Sequence, residues 1–242
     1  MEYDVKPSTG KIEVTWFGHS AFLFQSPNGK RLLIDPWLDN PRAPAGAKNI
    51  SGVDVILITH GHSDHIGNTI EIAKRTNAKV FAIFELYLHL TRQGVTSAHG
   101  MNKGGTVEVD GISVTMVDAK HSSGVDHEAE VIAGGEAAGY VVNFEDGLTV
   151  YHAGDTALFG DMKIIADLYK PKAVFLPIGG LFTMGTREAA YACTLMKPQI
   201  IVGMHYGTFP VLTGTPAELR KFLPPQLKNR VIEFEIGKPQ MI

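Results

Sequence analysis

Six consecutive residues, His60 to His65, carry three imidazole side chains and one carboxylate. They follow residues 53–59, an apolar and β-branched run that is typical of a buried strand. The residues after them begin a helical pattern, so the polar side chains lie on a tight turn at the end of a strand, where sites collect in α/β sheets. Imidazole and carboxylate groups are ligands that suit Zn, Mn, Fe or Ni. The turn therefore predicts a metal site.

The spacing within this turn favours two metal ions over one. His60 and His62 can face one side of the loop, whereas Asp64 and His65 face a second point a few ångströms away. A plain helix N-terminus capped by Ser63 or Asp64 is the alternative interpretation. That alternative accounts for one residue of the turn and leaves the three histidines without a reason, so we favour the metal site.

Three further strands also end in a candidate ligand. Apolar runs lead into His121, Asp155 and His205, and each of these residues is followed by small residues or glycine. Ligands that are distant in sequence can converge when they follow strands at the same edge of a sheet. The predicted sets are His60, His62 and His121 for one metal, Asp64, His65 and His205 for the other, and Asp155 as the carboxylate that bridges the two metals.

Composition indicates one globular domain over residues 1–242, with 44% hydrophobic and 19% charged residues. A net charge of −3 gives no basic excess for nucleic acid or an anionic membrane. No apolar run approaches the ~20 residues that a membrane span needs. The first residues lack a secretion signal, and Cys193 is the single cysteine, so a cytoplasmic location is expected. Homo-oligomer formation is left open.

Strand and helix patterns place the candidate ligands at strand ends. The first half predicts strands at 11–17, 21–25, 31–35, 53–59 and 79–83, a helix ending near Thr76 and another over 85–93, after a loose lead-in over 1–10. The second half predicts strands at 106–109, 112–119, 139–144, 148–152, 173–177, 199–204 and 230–236, and helices at 158–169, 186–196 and 216–223. Residues 122–137 have no clear periodicity and are predicted as a mobile loop beside the site. Both halves run hairpins first and β-α-β units later, which suggests a duplicated layout.

The order of these motifs resembles the metallo-β-lactamase superfamily: His-x-His-x-Asp-His, a lone His, Gly-Asp-Thr, then a late His. Residues 16–20 (Trp-Phe-Gly-His-Ser), 34–37 (Ile-Asp-Pro-Trp) and 204–208 (Met-His-Tyr-Gly-Thr) resemble its branch of small metal-dependent hydrolases related to L-ascorbate 6-phosphate lactonase. The resemblance covers essentially the whole chain. It implies an α/β fold, a four-layer αββα sandwich of two mixed β-sheets with a binuclear site at one edge. Ala-Lys-His-Ser at 119–122 departs from the superfamily's usual Pro-Gly-His-Thr and argues against glyoxalase II or a true lactamase.

The expected chemistry is metal-dependent hydrolysis of a small soluble substrate. Two divalent ions ~3.5–4 Å apart can lower the pKa of a shared water toward neutrality and supply a hydroxide nucleophile. Zn is the favoured metal, with Mn, Ni or Fe as alternatives. Asp64 could orient the water and carry a proton to the leaving group of a lactone, ester, amide or phosphodiester. His19 is the second catalytic candidate, with a supporting or core role as the equal alternative, whereas Asp35 is expected to orient the metal loop.

Other readings of the sequence differ in chemistry. A non-enzymatic or degenerate metal-binding relative would have no need of the bridging Asp155. An iron-dependent redox protein could use the same ligands, but no flavin domain follows in this chain. Nucleic-acid processing lacks a basic face in the composition. A pocket that binds phosphate would require a cation near the site, and the candidates are Lys103, Lys120 and Arg187.

Overall fold

Two seven-stranded β-sheets lie at the centre of the computed structural model, which describes residues 12–242. The first sheet comprises β1 (Glu13–Trp16), β2 (Phe22–Gln25), β3 (Arg31–Ile34), β4 (Val55–Leu57), β5 (Lys79–Ile83), β6 (Ala98–Met101) and β16 (Pro239–Met241). The second comprises β7 (Thr106–Val109), β8 (Ile112–Asp118), β11 (Ala138–Asn143), β12 (Thr149–His152), β13 (Ala173–Pro177), β14 (Ile200–Met204) and β15 (Val231–Ile232). A separate hairpin pairs β9 (Gly124–His127) with β10 (Glu130–Ala133). The predicted lead-in over 1–10, and Lys11, lie outside the described residues.

Both sheets follow the same plan of pairing. The strand orders are β16-β1-β2-β3-β4-β5-β6 and β15-β14-β13-β12-β11-β8-β7. In the first sheet the pairs from β16 to β3 are antiparallel and those from β3 to β6 are parallel. In the second, the pairs from β7 to β12 are antiparallel and those from β12 to β15 are parallel. The mixed sheets are confirmed, and the parallel half of each sheet supplies strand ends on one edge.

Helices cover the outer faces of both sheets. They are α1 (Ser63–Ile66), α2 (Thr69–Thr76), α3 (Phe84–Arg92), α4 (Met162–Tyr169), α5 (Thr186–Met196), α6 (Pro216–Phe222) and α7 (Pro225–Lys228). Helices α2 and α3 bury Ile72 and Leu90 against the first sheet, and α4 to α6 pack on the second. Between the sheets, Phe175 contacts Phe22 and Phe24 at ring-centroid distances of 4.9 and 5.3 Å. The four layers predicted from the sequence are therefore present.

No helix in the described part of the chain is both long and apolar enough to span a bilayer. The free Cys193 lies buried in α5, as the helical spacing predicts. Burial raises the pKa of its thiol to about 12, so this thiol is inert at neutral pH.

Three predictions about local structure were wrong. Residues 122–137 contain the β9–β10 hairpin rather than an unstructured loop. The helix after the histidine turn is broken at Gly67 (φ 42°), where a Cβ would lie 2.4 Å from the Cα of Trp37. The last predicted strand, 230–236, shrinks to Val231–Ile232, and the edge strands β6 and β16 were not predicted at all.

Candidate metal centre

The histidine turn connects buried strand β4 to the short helix α1. Strand β4 is apolar on both faces, as expected for a parallel strand covered on two sides. His62 lies immediately before α1, and its carbonyl accepts the backbone N–H groups of His65 and Ile66. His60 and His65 are fully buried, whereas Asp64 keeps 24% of its side chain exposed. The turn therefore has a buried side and an open side.

The remaining predicted ligands arrive from the ends of three strands in the second sheet. His121 follows β8, Asp155 follows β12 and His205 follows β14. The side chains form three groups, and within each group the donor atoms lie within 4.8 Å of one another. These groups are His60, His62 and His121; His19, Asp64, His65 and His205; and His60, His65 and Asp155. The structure thus brings all seven predicted ligands together, and it adds His19 to the second set.

Asp155 lies between the two sets. Its Oδ2 is 2.9 Å from Nε2 of His205, 3.2 Å from that of His65, 3.7 Å from that of His121 and 4.0 Å from that of His60. Two ligands of one tetrahedral zinc ion are separated by about 3.4 Å when each bond is about 2.05 Å long. Burial alone would raise the pKa of Asp155, but His205 and His65 hold it well below its usual value. An ionised carboxylate at this position fits the bridging role predicted for it.

Asp35 fixes which ring nitrogens of two histidines face the centre. It is fully buried and accepts hydrogen bonds from the Thr59 backbone N–H (2.8 Å), the Thr59 hydroxyl (2.7 Å) and His65 Nδ1 (2.7 Å). Because the Thr59 hydroxyl gives its proton to Asp35, it can only accept from His60 Nδ1, 3.0 Å away. In the neutral rings, Nε2 of both His60 and His65 then carries the lone pair and faces the cluster.

The buried polar atoms of the cluster fit a cation. Among the described residues, His65 Nε2 and Asp155 Oδ1 are buried and make no hydrogen bond. Such atoms are rare in folded proteins unless an ion or water completes them. Burial lowers the pKa of His60 well below its usual value, which keeps its lone pair available. The donor set of imidazoles and carboxylates suits divalent zinc, manganese, nickel or iron.

His65 behaves differently from the other histidines. Burial lowers its pKa, but Asp155 and Asp35 outweigh burial and hold the pKa well above its usual value. The ring then carries a proton between two carboxylates. A metal ion that binds Nε2 must displace that proton, because metal ligation needs the neutral imidazole.

His19 lies behind Asp64. It is fully buried, its Nε2 is 3.0 Å from Asp64 Oδ2, and its Nδ1 is 3.0 Å from the Thr208 hydroxyl. Burial lowers the pKa of His19 to about 4, against the raising effect of its hydrogen bond to Asp64. Burial would raise the pKa of Asp64, but the His19 hydrogen bond holds it well below its usual value. Both ring nitrogens are engaged, so this geometry fits the supporting role weighed for His19.

Three residues of the site have backbone angles that only glycine adopts easily. The φ values are 51° at His19, 48° at Asp35 and 55° at His205. Asp35 and His205 come directly after strands β3 and β14, and the His205 N–H donates to the His19 carbonyl at 3.0 Å. Strained backbone of this kind concentrates at functional sites.

The sequence did not single out three supporting hydroxyl groups. Thr59 connects His60 to Asp35, and Thr208 holds His19. Ser123 accepts from the Gly61 backbone N–H at 3.0 Å and donates to the Gly134 carbonyl at 3.1 Å, joining the histidine turn to the base of the β9–β10 hairpin. Each lies within three residues of a candidate ligand or its motif, and that adjacency was the available signal.

A comparison with known families agrees with the geometry. Residues 30–206 match the family model described as "Beta-lactamase superfamily domain". The chain belongs to the β-lactamase superfamily. The resemblance predicted from the motifs is thereby confirmed, together with the metallo-β-lactamase fold.

Relatives within the superfamily narrow the activity. A UPF0173 metal-dependent hydrolase of Koribacter versatilis is 51% identical over 213 residues, covering 88% of this chain and 91% of that protein. Another, of Methanosarcina mazei, is 46% identical over 228 residues, covering 94% and 97%. Igni18, a metallo hydrolase of the archaeon Ignicoccus hospitalis, superimposes with a TM-score of 0.84 at 38% identity and covers 96% of this chain and 98% of its own. This member of the superfamily is a metal-dependent hydrolase.

Proposed function

We propose that this chain hydrolyses a lactone, ester or phosphodiester of a small soluble substrate with two divalent metal ions. The position of Asp155 Oδ2, within 4.0 Å of a nitrogen from each of four histidines, carries the proposal. One carboxylate oxygen among nitrogens from both ligand sets is the arrangement that two neighbouring cations need. The single buried cysteine, Cys193, favours a reducing cytoplasm as the place of the reaction.

The two ligand sets would hold the two ions. The first set is His60, His62 and His121, the second is Asp64, His65 and His205, and Asp155 is shared. Bound divalent ions would lower the pKa of a water and polarise the oxygen of the bond under attack. We take zinc as the first choice because imidazole nitrogen dominates the donor set, with manganese, nickel or iron as alternatives.

Asp64 is the residue we assign to the proton. Its side chain is 24% exposed, whereas Asp155 is 2% exposed and Asp35 is fully buried. Asp64 can therefore accept a hydrogen bond from an incoming water and orient it toward the substrate. The water oxygen bonds to the acyl carbon or phosphorus, the bond to the leaving oxygen breaks, and Asp64 passes the water proton to that oxygen. The low pKa of Asp64 suits a group that returns at once to the carboxylate.

His19 supports this step from behind. Its Nε2 contacts Asp64 Oδ2, and Thr208 holds its Nδ1 from the other side. This contact fixes one oxygen of Asp64 and leaves the rest of the carboxylate to act on water. Loss of the His19 ring would therefore lower turnover more than it lowers substrate binding.

Metal content of the purified protein tests the proposal, together with turnover after loading with Zn, Mn, Ni or Fe. The substrates are a sugar-phosphate lactone, bis(p-nitrophenyl) phosphate and a simple ester. We expect two metals per chain and metal-dependent turnover, lowered by a factor of about 10² or more in Asp64→Asn. Asp39→Asn is the matched control, because Asp39 is an exposed carboxylate paired with Lys48.

Two outcomes contradict the proposal in different ways. Fewer than one metal per chain with no turnover under any loading overturns the binuclear hydrolase and supports a degenerate relative. Full metal-dependent turnover in Asp64→Asn leaves hydrolysis standing but removes Asp64 from the proton step.

A further inference from the structure

An aromatic wall stands directly beside the metal centre. Trp37 and Phe209 lie 5.7 Å apart between ring centroids, at an interplanar angle of 30°. Both rings meet the buried His19 nearly edge-on, at 5.1 and 5.9 Å. Both are only partly buried, so part of each ring faces solvent. Because His19 contacts Asp64, both rings are one imidazole ring away from the carboxylate assigned to the proton.

The backbone holds the wall in place firmly. Trp37 lies two residues after Asp35, in the segment that follows β3. Its backbone packs against Gly67, which ends α1. Phe209 lies on the loop after His205, where its carbonyl accepts the backbone N–H of Leu212 at 3.0 Å. Two aromatic rings positioned by the segments that carry Asp35 and the candidate ligand His205 form a preorganised apolar surface.

Exposed apolar side chains continue along the neighbouring loops. Leu181, Phe182 and Val211 are 71%, 57% and 49% exposed. Their loops are joined by a hydrogen bond from the Gly214 N–H to the Gly179 carbonyl at 3.3 Å, and a Cβ on Gly179 would meet the His205 carbonyl.

Leu181 also lies in the left-handed region at φ 59°, which a leucine rarely adopts. Its side chain is largely exposed, so little packing within the chain compensates for that conformation. Leu181 lies two residues after Gly179, whose backbone packs against the His205 carbonyl.

The cations available to read a phosphate are mostly engaged elsewhere. Lys120 pairs with Asp118, and Lys103 pairs with Asp118 and Glu136. Arg187 lies in the first turn of α5, and within residues 12–242 it has no carboxylate partner. Arg42 also has no carboxylate partner within residues 12–242, but its guanidinium donates to the Tyr206 carbonyl at 3.3 Å and lies over the Trp16 ring. A phosphodiester would therefore depend mainly on the metals for recognition, whereas Trp37 and Phe209 offer an apolar surface.

We propose that the substrate is an uncharged ester or lactone with a flat apolar substituent, an aromatic ring in particular, next to the bond that is hydrolysed. Trp37 and Phe209 receive that substituent. This inference rests on the proposed hydrolytic function and names the substrate class for the same site.

Three esters that differ by one ring test the inference on the metal-loaded enzyme. Methyl acetate is the reference, methyl phenylacetate adds a ring on the acyl side, and benzyl acetate adds one on the alcohol side. After correction for alkaline hydrolysis rates, we expect kcat/KM for at least one of the two ring-bearing esters to exceed that for methyl acetate by about tenfold. Burial of a few apolar groups gives discrimination of this order. Phe209→Ala should remove most of this ratio.

The matched control is Phe222→Ala, which removes a more exposed phenyl ring from α6, outside both site loops, and should keep the ratio. Equal kcat/KM for all three esters overturns the inference while hydrolysis stands. So does a phosphodiester preference that is lost in Arg187→Gln. If Phe209→Ala does not fold, Trp37→Leu takes its place and is expected to lower the same ratio.

Calorimetric titration separates failure of the inference from failure of the proposed function. Phenylacetate and acetate carry the same carboxylate and differ only in the ring. We expect phenylacetate to bind the metal-loaded protein about tenfold more tightly, whether or not any ester turns over. Equal affinities overturn the aromatic wall as a binding surface, and absence of turnover with this tenfold difference overturns hydrolysis alone.

Discussion

Replacement of Asp35 by asparagine should reverse a proton at the metal centre without changing the size of the side chain. Asp35 accepts three hydrogen bonds, one at Oδ1 from the Thr59 backbone N–H and two at Oδ2 from the Thr59 hydroxyl and His65 Nδ1. An amide has one oxygen and one NH₂ group. If the NH₂ group faced the Thr59 backbone, two donors would meet and neither could adapt. The amide must therefore direct its NH₂ group at His65.

That orientation changes which nitrogen of the neutral His65 ring carries the proton. In the neutral ring Nδ1 becomes the acceptor, and the one remaining proton is held on Nε2, the atom that faces Asp155 Oδ2 at 3.2 Å. A protonated Nε2 cannot bind a metal. The Thr59 hydroxyl must turn as well, which weakens its hold on His60. Changes in groups that orient metal ligands cost about 10- to 100-fold in affinity, and each tenfold corresponds to about 1.4 kcal/mol.

Metal affinity is measured by competition with a chromophoric chelator, with circular dichroism as the check on folding. Asp35→Asn should bind metal about 10- to 100-fold more weakly than the unchanged chain. Thr59→Val, which removes only the connection to His60, should have a smaller effect. Asp110→Asn is the control, because this carboxylate pairs with Lys79 far from the turn. A folded Asp35→Asn protein with affinity within twofold of the original would refute the tautomer argument.

Two further predictions concern stability. A Cβ at Gly61 would lie 2.7 Å from Val125 Cγ2, so Gly61→Ala should lower the free energy of unfolding by about 1–3 kcal/mol. A Cβ at Gly160 would have no atom of the described residues within 4 Å, so Gly160→Ala should change that free energy little. Equal urea midpoints for the two variants would contradict this prediction. Burial lowers the pKa of His152 from its usual value of 6.5 to about 4. The unfolded chain then takes up a proton below about pH 6.5 and the folded chain does not until about pH 4, so stability is lost as pH falls through this window. His152→Gln should remove about 2–3 kcal/mol of the loss between pH 7.5 and 4.5, and unchanged pH dependence in urea titrations would count against it.

The sequence predicted the centre of the fold better than its edges. Buried parallel strands such as Ala173–Pro177 are continuous apolar runs, and the structure has this strand with the predicted bounds. Edge strands depend on partners that no local pattern shows. Pro239–Met241 is a strand only because it pairs with β1 at the other end of the chain. Ala98–Met101 contains a glycine and a histidine and reads as a loop by itself.

The β9–β10 hairpin was missed for a related reason. Its residues lack apolar alternation because one face is solvent and the other rests on the histidine turn through a few contacts, such as that of Val125. The break at Gly67 was missed because it depends on close packing against the backbone of Trp37, and the sequence does not show that contact.

The clustering of the candidate ligands could be predicted from the sequence, because each candidate follows a strand and the strand ends meet at one edge of the sheets. The hydrogen bonds behind them did not follow. Whether His19 faces substrate or Asp64 depends on a backbone angle of 51° and on Thr208, which is 189 residues away. The sequence left these two roles equally open, and only the geometry separates them.

The seven proposed ligands are divided between the two sheets, and this division has a consequence for how the protein is made. The part of the chain up to β6 carries only the histidine turn, and the part from β7 onward carries His121, Asp155 and His205. Neither part holds a full ligand set, so no ion can be held firmly until the second sheet has been synthesised and has docked on the first. With these residues as the ligands, metal uptake would come late in biogenesis and would stabilise the contact between the two parts, because an ion that binds only the docked form also stabilises it. Two fragments of the chain, separated between β6 and β7, would accordingly reassemble far better with metal than without it.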